Sequence, residues 1–543
     1  MWNKTEAFLA RHENLILLAL LAVFILVNSQ GLSWGLPSQW HPDELAGVVQ
    51  KTLEGGEKFD TTNFDYPSLP KYFMLFLGML TNALGQPYGT FFLTARFFSV
   101  ILGGMAVWLA YGLARQLGAQ RTGSLLAALL TFTSSEVSLH AHFAHNDLYA
   151  TFFVGTAVYF ILHYRATSGA GWLYAAFLAC GLAASSKYNA GVVVLAALLA
   201  YALTRGRTLW REPLHSFETL FVGAGLSLLG YGIGTPAFIT RMAQYLKGLL
   251  PALSHHASYG RSEDSVTGLI GQWRMMGNAW GEGLYLLFLA ALLAGLVLLV
   301  LAAFKRLPAG FELPPDRLAV VICAVVALDL PILISYNYQA RFLLPMFPLL
   351  AALLGALIDT LARRLESIWR AALITACLGV VVWSGMRSAS VILEINHDAR
   401  IPAGAYITTE LAHNARLEYT FYLPNFNRLS FVAAEPYPLV FIKQADMQLP
   451  TGGKYPYNTG AAGVEERKPR FLVIDSFIYE RFKNRSICQL HAADCDFFTR
   501  LLAGQAGYHL IADFAYHPPA WLPDLHPAFI NPQIRVFERD RGQ

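Results

Sequence analysis

The sequence predicts a mainly α-helical bundle that crosses a membrane many times and is followed by a smaller α/β domain. Three observations support this fold class. The 543-residue chain is 55% hydrophobic and only 14% charged, whereas soluble globular proteins carry roughly 25% charged residues. Apolar segments of membrane-spanning length recur up to about residue 390. Beyond that point the composition is that of an ordinary mixed domain.

Eleven apolar segments are predicted to cross the membrane, because a crossing helix needs roughly 20 apolar residues. Their approximate limits are 15–33, 91–114, 122–139, 147–164, 171–186, 188–204, 217–236, 281–304, 318–335, 342–361 and 371–389. The first segment is too long for a signal-peptide core and has no small-residue cleavage site after it, which indicates an uncleaved anchor. Residues 69–85 are apolar but short, which favours an interfacial or re-entrant helix.

The distribution of basic residues predicts a cytoplasmic N-terminus. In that orientation the short inner loops contain the basic clusters at 205–211 and 363–370, as the positive-inside rule requires. The long loop at 237–280 weakens this pattern, because it also carries basic residues and lies outside. An odd number of crossings then places the C-terminal segment outside the cytoplasm. We expect a multi-pass protein of a bacterial inner or plasma membrane, with its first external loop at 34–90.

The chain is expected to divide at about residue 390 into a membrane module, 1–390, and an extracytoplasmic α/β domain, 391–543. Strand-like runs occur in this domain at 471–475, 509–514 and 534–538. It contains no glycine-rich nucleotide motif, phosphate-binding loop or zinc-ligand spacing, so no separate chemistry is predicted for it. Cys488 and Cys495 lie close enough in sequence to form a disulfide if the compartment is oxidising.

Acidic and polar residues gather where the chain first leaves the membrane, in the segment QWHPDELAGVVQ that begins at Gln39. Pro42 suits the first turn of a helix, and the helix dipole favours ionised carboxylates there, at Asp43 and Glu44. Helix capping is a common reason for acids at such a position. Further polar residues at the same membrane face favour a functional role over simple capping. Charged groups at membrane depth are costly, so their presence usually indicates function. These are Arg96, the segment 140–149, Lys187 and Arg341.

The order of these motifs resembles that of the multispanning GT-C glycosyltransferases, and most closely the protein O-mannosyltransferase and aminoarabinose-transferase group. The similar stretches are the acidic pair after the first helix, YPSLPKYF, TARFFSV, HNDLYATFF, GLAASSKYNAG and YQARFLLPMFPLL. The resemblance covers about residues 10–390. It implies a sugar donor carried on a polyprenyl phosphate. The external position of the acidic loop agrees with such a donor, because nucleotide sugars are kept in the cytoplasm.

The resemblance implies that Asp43 is the general base, which takes the proton from the acceptor hydroxyl during transfer with inversion. Glu44 is expected to orient Asp43 or to hydrogen-bond the acceptor. The leaving phosphate needs fixed positive charge rather than a strong acid. Arg96, Lys187 and Arg341 are the candidates for that charge. Interfacial snorkelling of these long side chains is the alternative.

Further polar residues are expected to line the acceptor and sugar pocket. They are His41, Asp65, Tyr66, His145, Asp147 and Tyr188. A divalent metal ion held by His41, Asp43, His145 and Asp147 is a minority hypothesis, and helix-end hydrogen bonds account for the same cluster without a metal. Apart from this possible divalent ion, the sequence indicates no cofactor, and no nucleic-acid partner is expected.

The predicted activity is transfer of a hexose or pentose from a polyprenyl-phosphate donor to a hydroxyl of a glycan, lipid or protein acceptor outside the cytoplasm. A transporter or lipid flippase is the main alternative. Such a protein usually places charges near the bilayer midplane, often in broken and repeated helices, whereas here they gather at the outer helix ends. A non-catalytic assembly subunit is the third hypothesis, against which the intact acidic pair argues.

Overall fold

The computed structural model describes residues 2–36, 40–49, 66–86, 89–258, 269–307, 312–333, 339–411, 415–420, 434–435 and 460–540. Contacts within the chain divide it into two compact units. The membrane unit is formed by Met1–Leu32, Asp43–Tyr259 and Val266–Ala389. The C-terminal unit is formed mainly by Ser33–Pro42 and Ser390–Gln543.

Helices of 4 to 30 residues make up the membrane unit, and the last of them, α17, continues into the C-terminal unit. Their bounds are α1 Trp2–Asn28, α2 Leu69–Ala83, α3 Gly89–Gln116, α4 Arg121–Phe132, α5 Ser135–Ala141, α6 Asp147–Thr167, α7 Ala170–Ser186, α8 Val194–Arg205, α9 Thr208–Arg211, α10 Pro213–Gly234, α11 Ala237–Thr240, α12 Met242–Ser258, α13 Leu269–Trp280, α14 Glu282–Ala303, α15 Pro315–Leu333, α16 Phe347–Arg364 and α17 Ser367–Asn396. Short 3₁₀ helices occupy Tyr188–Val193, Ala340–Phe342 and Leu344–Met346.

Seven helical spans among the described residues are long and apolar enough to cross a membrane. They are Glu6–Asn28, Thr90–Gln116, Tyr188–Arg205, Pro213–Gly234, Glu282–Ala303, Leu344–Arg364 and Ser367–Thr409. Each of them overlaps one of the predicted segments. The predicted multispanning helical bundle is therefore confirmed, whereas the count of eleven crossings stays a prediction.

The predicted segment 122–139 forms two helices rather than one. α4 ends at Phe132 and α5 begins at Ser135, because the hydroxyl of Ser134 accepts a hydrogen bond from the backbone N–H of Val137 and caps α5. At about 1.5 Å per residue, the 12 residues of α4 rise only about 18 Å, less than the roughly 30 Å of the hydrocarbon core. After this break, α5 leads directly into the polar segment 142–146.

Glycines allow α7 and α10 to approach each other closely. A methyl group added at Gly181 would lie 2.0 Å from the carbonyl oxygen of Ser227, and one added at Gly230 would lie 2.4 Å from that of Leu178. Small residues at such contacts are typical of membrane bundles, where close backbone packing supplies the attraction between helices. This contact holds α7 in place, and Lys187 follows directly at its C-terminal end.

Replacing Gly230 by Ala should destabilise the protein by about 1–3 kcal/mol, because the new methyl group meets backbone that cannot move aside. The matched control is Gly225→Ala on the same helix, where an added methyl group meets nothing within 4 Å. Thermal unfolding of the two variants in detergent checks this. Equal midpoints for both variants would show that the close contact is not required.

A five-stranded sheet, with strand order β2-β1-β3-β5-β4, lies at the centre of the C-terminal unit. The strands are β1 Leu417–Tyr419, β2 Ala434–Glu435, β3 Phe471–Asp475, β4 Tyr508–Phe514 and β5 Ile534–Arg539. β1 pairs in parallel with β2 and β3, while β5 pairs antiparallel with β3 and β4. The three strand-like runs of the sequence are β3, β4 and β5, so the predicted α/β fold of this region is confirmed.

Helices cover both faces of this sheet. They are α18 Arg400–Glu410, α19 Gly460–Arg467, α20 Ser476–Tyr479, α21 Arg485–Leu490 and α22 Ala492–Leu502. Successive residues of β3 point to opposite faces, so Leu472 packs in the cluster that contains Phe497 of α22, and Val473 packs in the one that contains Ile407 of α18. A disulfide joins Cys488 to Cys495, with their Cα atoms 5.2 Å apart.

Candidate active site

Asp43 and Glu44, the adjacent acids of the first external loop, contact different arginines. Glu44 is buried in a bidentate ion pair with Arg96 of α3. Nε and Nη2 of Arg96 each donate to a Glu44 carboxylate oxygen at 2.8 Å. Nη1 of Arg96 donates to the carbonyl oxygen of Leu32 at 2.6 Å. The backbone N–H of Ala144 donates to Glu44 at 2.9 Å. This pair therefore joins the end of α1, the first loop, α3 and the segment 142–146.

Arg96 is fully buried and all three of its guanidinium nitrogens are engaged. A phosphate could contact it only if Glu44 or Leu32 were released, and breaking a buried pair leaves an uncompensated charge. Glu44 is held by the same contacts and faces Arg96 rather than Asp43. This geometry favours a positioning role for both residues. Their predicted roles, at the phosphate and beside the base, remain predictions.

Replacing Arg96 by Met should destabilise the folded protein by about 3–5 kcal/mol, because the buried Glu44 carboxylate then lacks its partner. The control is Arg205→Met, which removes an arginine from a solvent-exposed pair with Glu212. The control is expected to leave the unfolding midpoint unchanged, since exposed pairs contribute little. Unfolding in detergent, followed by circular dichroism, compares the two. Equal unfolding midpoints for the two variants would show that the buried pair does not stabilise the fold.

Asp43 pairs with Arg341, which lies in the 3₁₀ turn Ala340–Phe342. Nη2 of Arg341 donates to Oδ2 of Asp43 at 2.7 Å. The arginine side chain is only 8% exposed, whereas that of Asp43 is 33% exposed. The carboxylate therefore remains accessible while the guanidinium beside it is shielded from water.

Two guanidinium nitrogens of Arg341, Nε and Nη1, are buried and have no hydrogen-bond partner within the described ranges. Between them they carry three of the five N–H donors of the group. Buried donors are nearly always paired, and an unpaired one costs roughly 1–3 kcal/mol, more when it is charged. These donors are therefore suited to an anionic ligand, such as a phosphate, next to Asp43.

Lys187 extends the cationic site. Its ammonium donates to Oδ1 of Asp147 at 2.5 Å and to the carbonyl oxygen of Arg341 at 3.4 Å, and it lies 4.5 Å above the ring of Phe342. The other oxygen of Asp147 is 2.6 Å from Nδ1 of His145. Asp147 begins α6, where the helix dipole stabilises its negative charge. The structure thus connects Arg341, Lys187, Asp147 and His145 in one continuous chain of contacts.

Burial changes the proton affinity of two of these groups, both of which lie between the apolar spans. It lowers the pKa of His145, and the neighbouring Asp147 offsets this only in part. It also lowers the pKa of Lys187 against the attraction of the same carboxylate. Since an ionised carboxylate can only accept a hydrogen bond, Nδ1 of His145 carries the proton that is donated to Asp147.

The other predicted pocket residues lie in different places. The ring of Tyr66 packs edge-on against His145, with centroids 5.2 Å apart, and thus belongs to the cluster. Tyr188 is half-buried and begins the 3₁₀ helix next to Lys187. His41 belongs to the C-terminal unit, where its ring packs against Phe529 at 5.0 Å. Asp65 lies outside the described residues.

His140 has no separate role among the predicted site residues, and Glu136 is not one of them. Nε2 of His140 is 3.3 Å from a carboxylate oxygen of Glu136, and its Nδ1 is 3.6 Å from Asp147. The i, i+4 spacing of Glu136 and His140 on one helix face is the signal that was available. Their contacts make Asp147 the meeting point of two histidines and Lys187.

The alternative of a metal ion on His41, Asp43, His145 and Asp147 stays a prediction. Within the part of the chain that the structure describes, these side chains do not form a group of three ligand atoms that one ion could reach. Asp43 instead faces Arg341, and Asp147 faces Lys187 and His145. The charges of the site are balanced by protein cations.

Part of the chain is similar in sequence to known transferases. Residues 75–228 match the family described as dolichyl-phosphate-mannose-protein mannosyltransferase. An undecaprenyl phosphate-alpha-4-amino-4-deoxy-L-arabinose arabinosyl transferase of Pseudomonas fluorescens is 30% identical over 224 residues. That alignment covers 38% of this chain and 38% of the relative, so it spans well under half of either protein.

The whole fold is similar to solved structures. The crystal structure of ArnT from Cupriavidus metallidurans bound to undecaprenyl phosphate matches with a TM-score of 0.51 and 14% sequence identity, covering 97% of this chain and 98% of that chain. At this identity the likeness concerns the fold alone. An oligosaccharyltransferase of Archaeoglobus fulgidus, tethered with an acceptor peptide, matches with a TM-score of 0.48 and 12% identity, covering 95% of this chain and 75% of that chain. This second likeness is too weak to carry an argument.

Proposed function

We propose that this chain belongs to the GT-C superfamily of membrane glycosyltransferases and that it transfers a sugar from a polyprenyl-phosphate carrier to an acceptor hydroxyl outside the cytoplasm. One observation carries the proposal. Arg341 presents buried N–H donors without partners beside the accessible carboxylate of Asp43. A site for a phosphate and a base for a hydroxyl are thus provided at adjacent atoms.

The reaction follows from these positions. The donor phosphate binds Nε and Nη1 of Arg341, and the acceptor hydroxyl approaches Asp43. Asp43 takes the hydroxyl proton as the acceptor oxygen forms its bond to the anomeric carbon. The bond between that carbon and the phosphate oxygen breaks on the opposite face, and the phosphate leaves with the electron pair. The sugar is transferred with inversion, and Asp43 ends as the neutral acid.

The ion pair between Asp43 and Arg341 couples the two halves of this step. Before reaction, the carboxylate partly neutralises the guanidinium. Once Asp43 is protonated, that compensation is lost at the moment when negative charge accumulates on the leaving phosphate. A preorganised cation at this position stabilises developing charge without reorganisation of water. Lys187 adds a second ammonium nearby, and Asp147 holds it in position.

The similar proteins support a lipid-linked donor. The Pseudomonas fluorescens relative is named for undecaprenyl phosphate and an aminoarabinose sugar, and the ArnT structure contains undecaprenyl phosphate. The disulfide of the C-terminal unit supports an oxidising compartment for that unit, as expected outside the cytoplasm. We propose the same external side for the site, where a flipped lipid-linked sugar and an outside acceptor meet.

Replacing Asp43 by Asn should lower the rate of sugar transfer roughly 10²–10⁴-fold, because the amide cannot accept the hydroxyl proton. The assay supplies the purified full chain with a panel of polyprenyl-phosphate sugars and hydroxyl acceptors, and measures released polyprenyl phosphate. Asp316→Asn is the matched control, since Asp316 also pairs with an arginine, Arg165, at 3.0 Å and is 31% exposed. Transfer at the normal rate by the Asp43 variant would refute an enzymatic role for this carboxylate.

Replacing Arg341 by Lys should weaken binding of polyprenyl phosphate roughly tenfold or more. Lysine keeps the positive charge but loses the planar fork that contacts a phosphate through several donors. Binding to the detergent-solubilised chain can be measured by titration, with Arg165→Lys as the control. Undiminished affinity in the Arg341 variant, with normal affinity in the control, would place the phosphate elsewhere.

A further inference from the structure

A group of acidic and histidine side chains lies in the C-terminal unit, apart from the residues of the proposed reaction. Glu394 is in the last turns of α17, and Asp524 and His526 are in the loop 515–533 between β4 and β5. One ligand atom from each residue lies within 4.8 Å of the others. We propose that Glu394, Asp524 and His526 bind a divalent transition-metal ion, with zinc the best fit to their chemistry.

The spacing of these atoms suits a metal ion. Nε2 of His526 is 3.4 Å from Oδ1 of Asp524. Zinc binds nitrogen and carboxylate oxygen at about 2.0–2.2 Å, so ligand atoms at two corners of a tetrahedron stand roughly 3.3–3.6 Å apart. The pair already has this separation, and a small movement of the third ligand completes three corners. A water molecule is the natural occupant of the fourth.

Glu394 supplies an independent reason for a cation. Its side chain is fully buried, and its Oε2 has no hydrogen-bond partner in the described part of the chain. No lysine or arginine among the described residues pairs with it. Its Oε1 lies 3.4 Å from the hydroxyl oxygen of Ser390 and 3.4 Å from the backbone nitrogen of Leu525. A buried carboxylate is expected to be paired or to coordinate a metal.

Hydrogen bonds around the group hold its members in position. Nδ1 of His517 donates to Oδ2 of Asp524 at 2.9 Å, whereas His526 faces Oδ1. Metal-binding carboxylates usually have such an outer partner, which orients them. The hydroxyl of Ser390 also bonds the carbonyl oxygen of Pro523, so the loop is already attached to α17. His517 is therefore a positioning residue rather than a ligand.

The ligand types favour zinc over harder cations. Calcium and magnesium prefer coordination spheres of oxygen atoms alone, whereas an imidazole with two carboxylates suits zinc and its neighbours in the transition series. An ion here connects the end of α17 to the loop 515–533, at a point where one oxygen of a buried carboxylate has no hydrogen-bond partner among the described residues. We assign it a structural role, since binding to the folded state alone stabilises that state.

The test uses the full chain, purified with an affinity tag that contains no histidine and stripped of metal with EDTA. Titration with zinc chloride, with metal content read by mass spectrometry, should give one zinc ion per chain and a higher thermal midpoint. Glu394→Gln and His526→Ala should each lose the ion, and His517→Ala should weaken its binding roughly 10–100-fold. His526 is 65% exposed, so its replacement does not threaten folding.

Two control variants make the result specific. His509→Ala removes an exposed histidine that pairs with Asp540 outside the group and should retain the ion. Asp43→Asn should also retain it, whereas loss there with retention in His526→Ala would locate the metal at the active site and overturn the proposal. The absence of zinc binding by the wild-type chain, or unchanged affinity in Glu394→Gln, would overturn it too. None of these readouts depends on sugar transfer, so the proposed function can fail separately.

Discussion

The ion pair between Asp43 and Arg341 is the interaction on which the proposed chemistry depends. Arg341 is buried, so its charge is expensive unless it is compensated, yet Asp43 contacts only Nη2 of the group. The remaining donors of the guanidinium stay available to an anion. Because Asp43 is also accessible, one pair of side chains can bind a phosphate and accept a proton. Neither residue could do both alone.

The other charges of the membrane unit hold this pair in place. The guanidinium nitrogens of Arg96 are all engaged by Glu44 and Leu32, and the carboxylate of Asp147 is bonded to Lys187 and His145. Groups satisfied in this way are rigid and position their neighbours. Arg341 differs from Arg96 in retaining buried donors without described partners. This difference in hydrogen bonding is why Arg341, rather than Arg96, is the arginine that we propose for the ligand.

The bundle, the C-terminal strands and the resemblance to GT-C enzymes were predictable, because apolar runs, alternating strands and ordered motifs are local patterns. Pairing is not local. Asp43 and Glu44 are neighbours, yet they contact arginines 298 and 52 positions away. Motif spacing could not indicate the proposed zinc site for the same reason, since Glu394 lies far in sequence from Asp524. The apolar content of residues 122–139 did not reveal the helix break at Ser134, because the cap that starts the next helix depends on a single hydroxyl.

The position of the lipid phosphate is the most direct test of this account. A cryo-electron microscopy structure of the full chain in lipid nanodiscs with a polyprenyl phosphate would locate it. We expect a phosphate group within hydrogen-bond distance of Nε and Nη1 of Arg341, with the carboxylate of Asp43 on the side open to an acceptor. A phosphate bound away from Arg341, with the pair between Asp43 and Arg341 closed and unchanged, would contradict it.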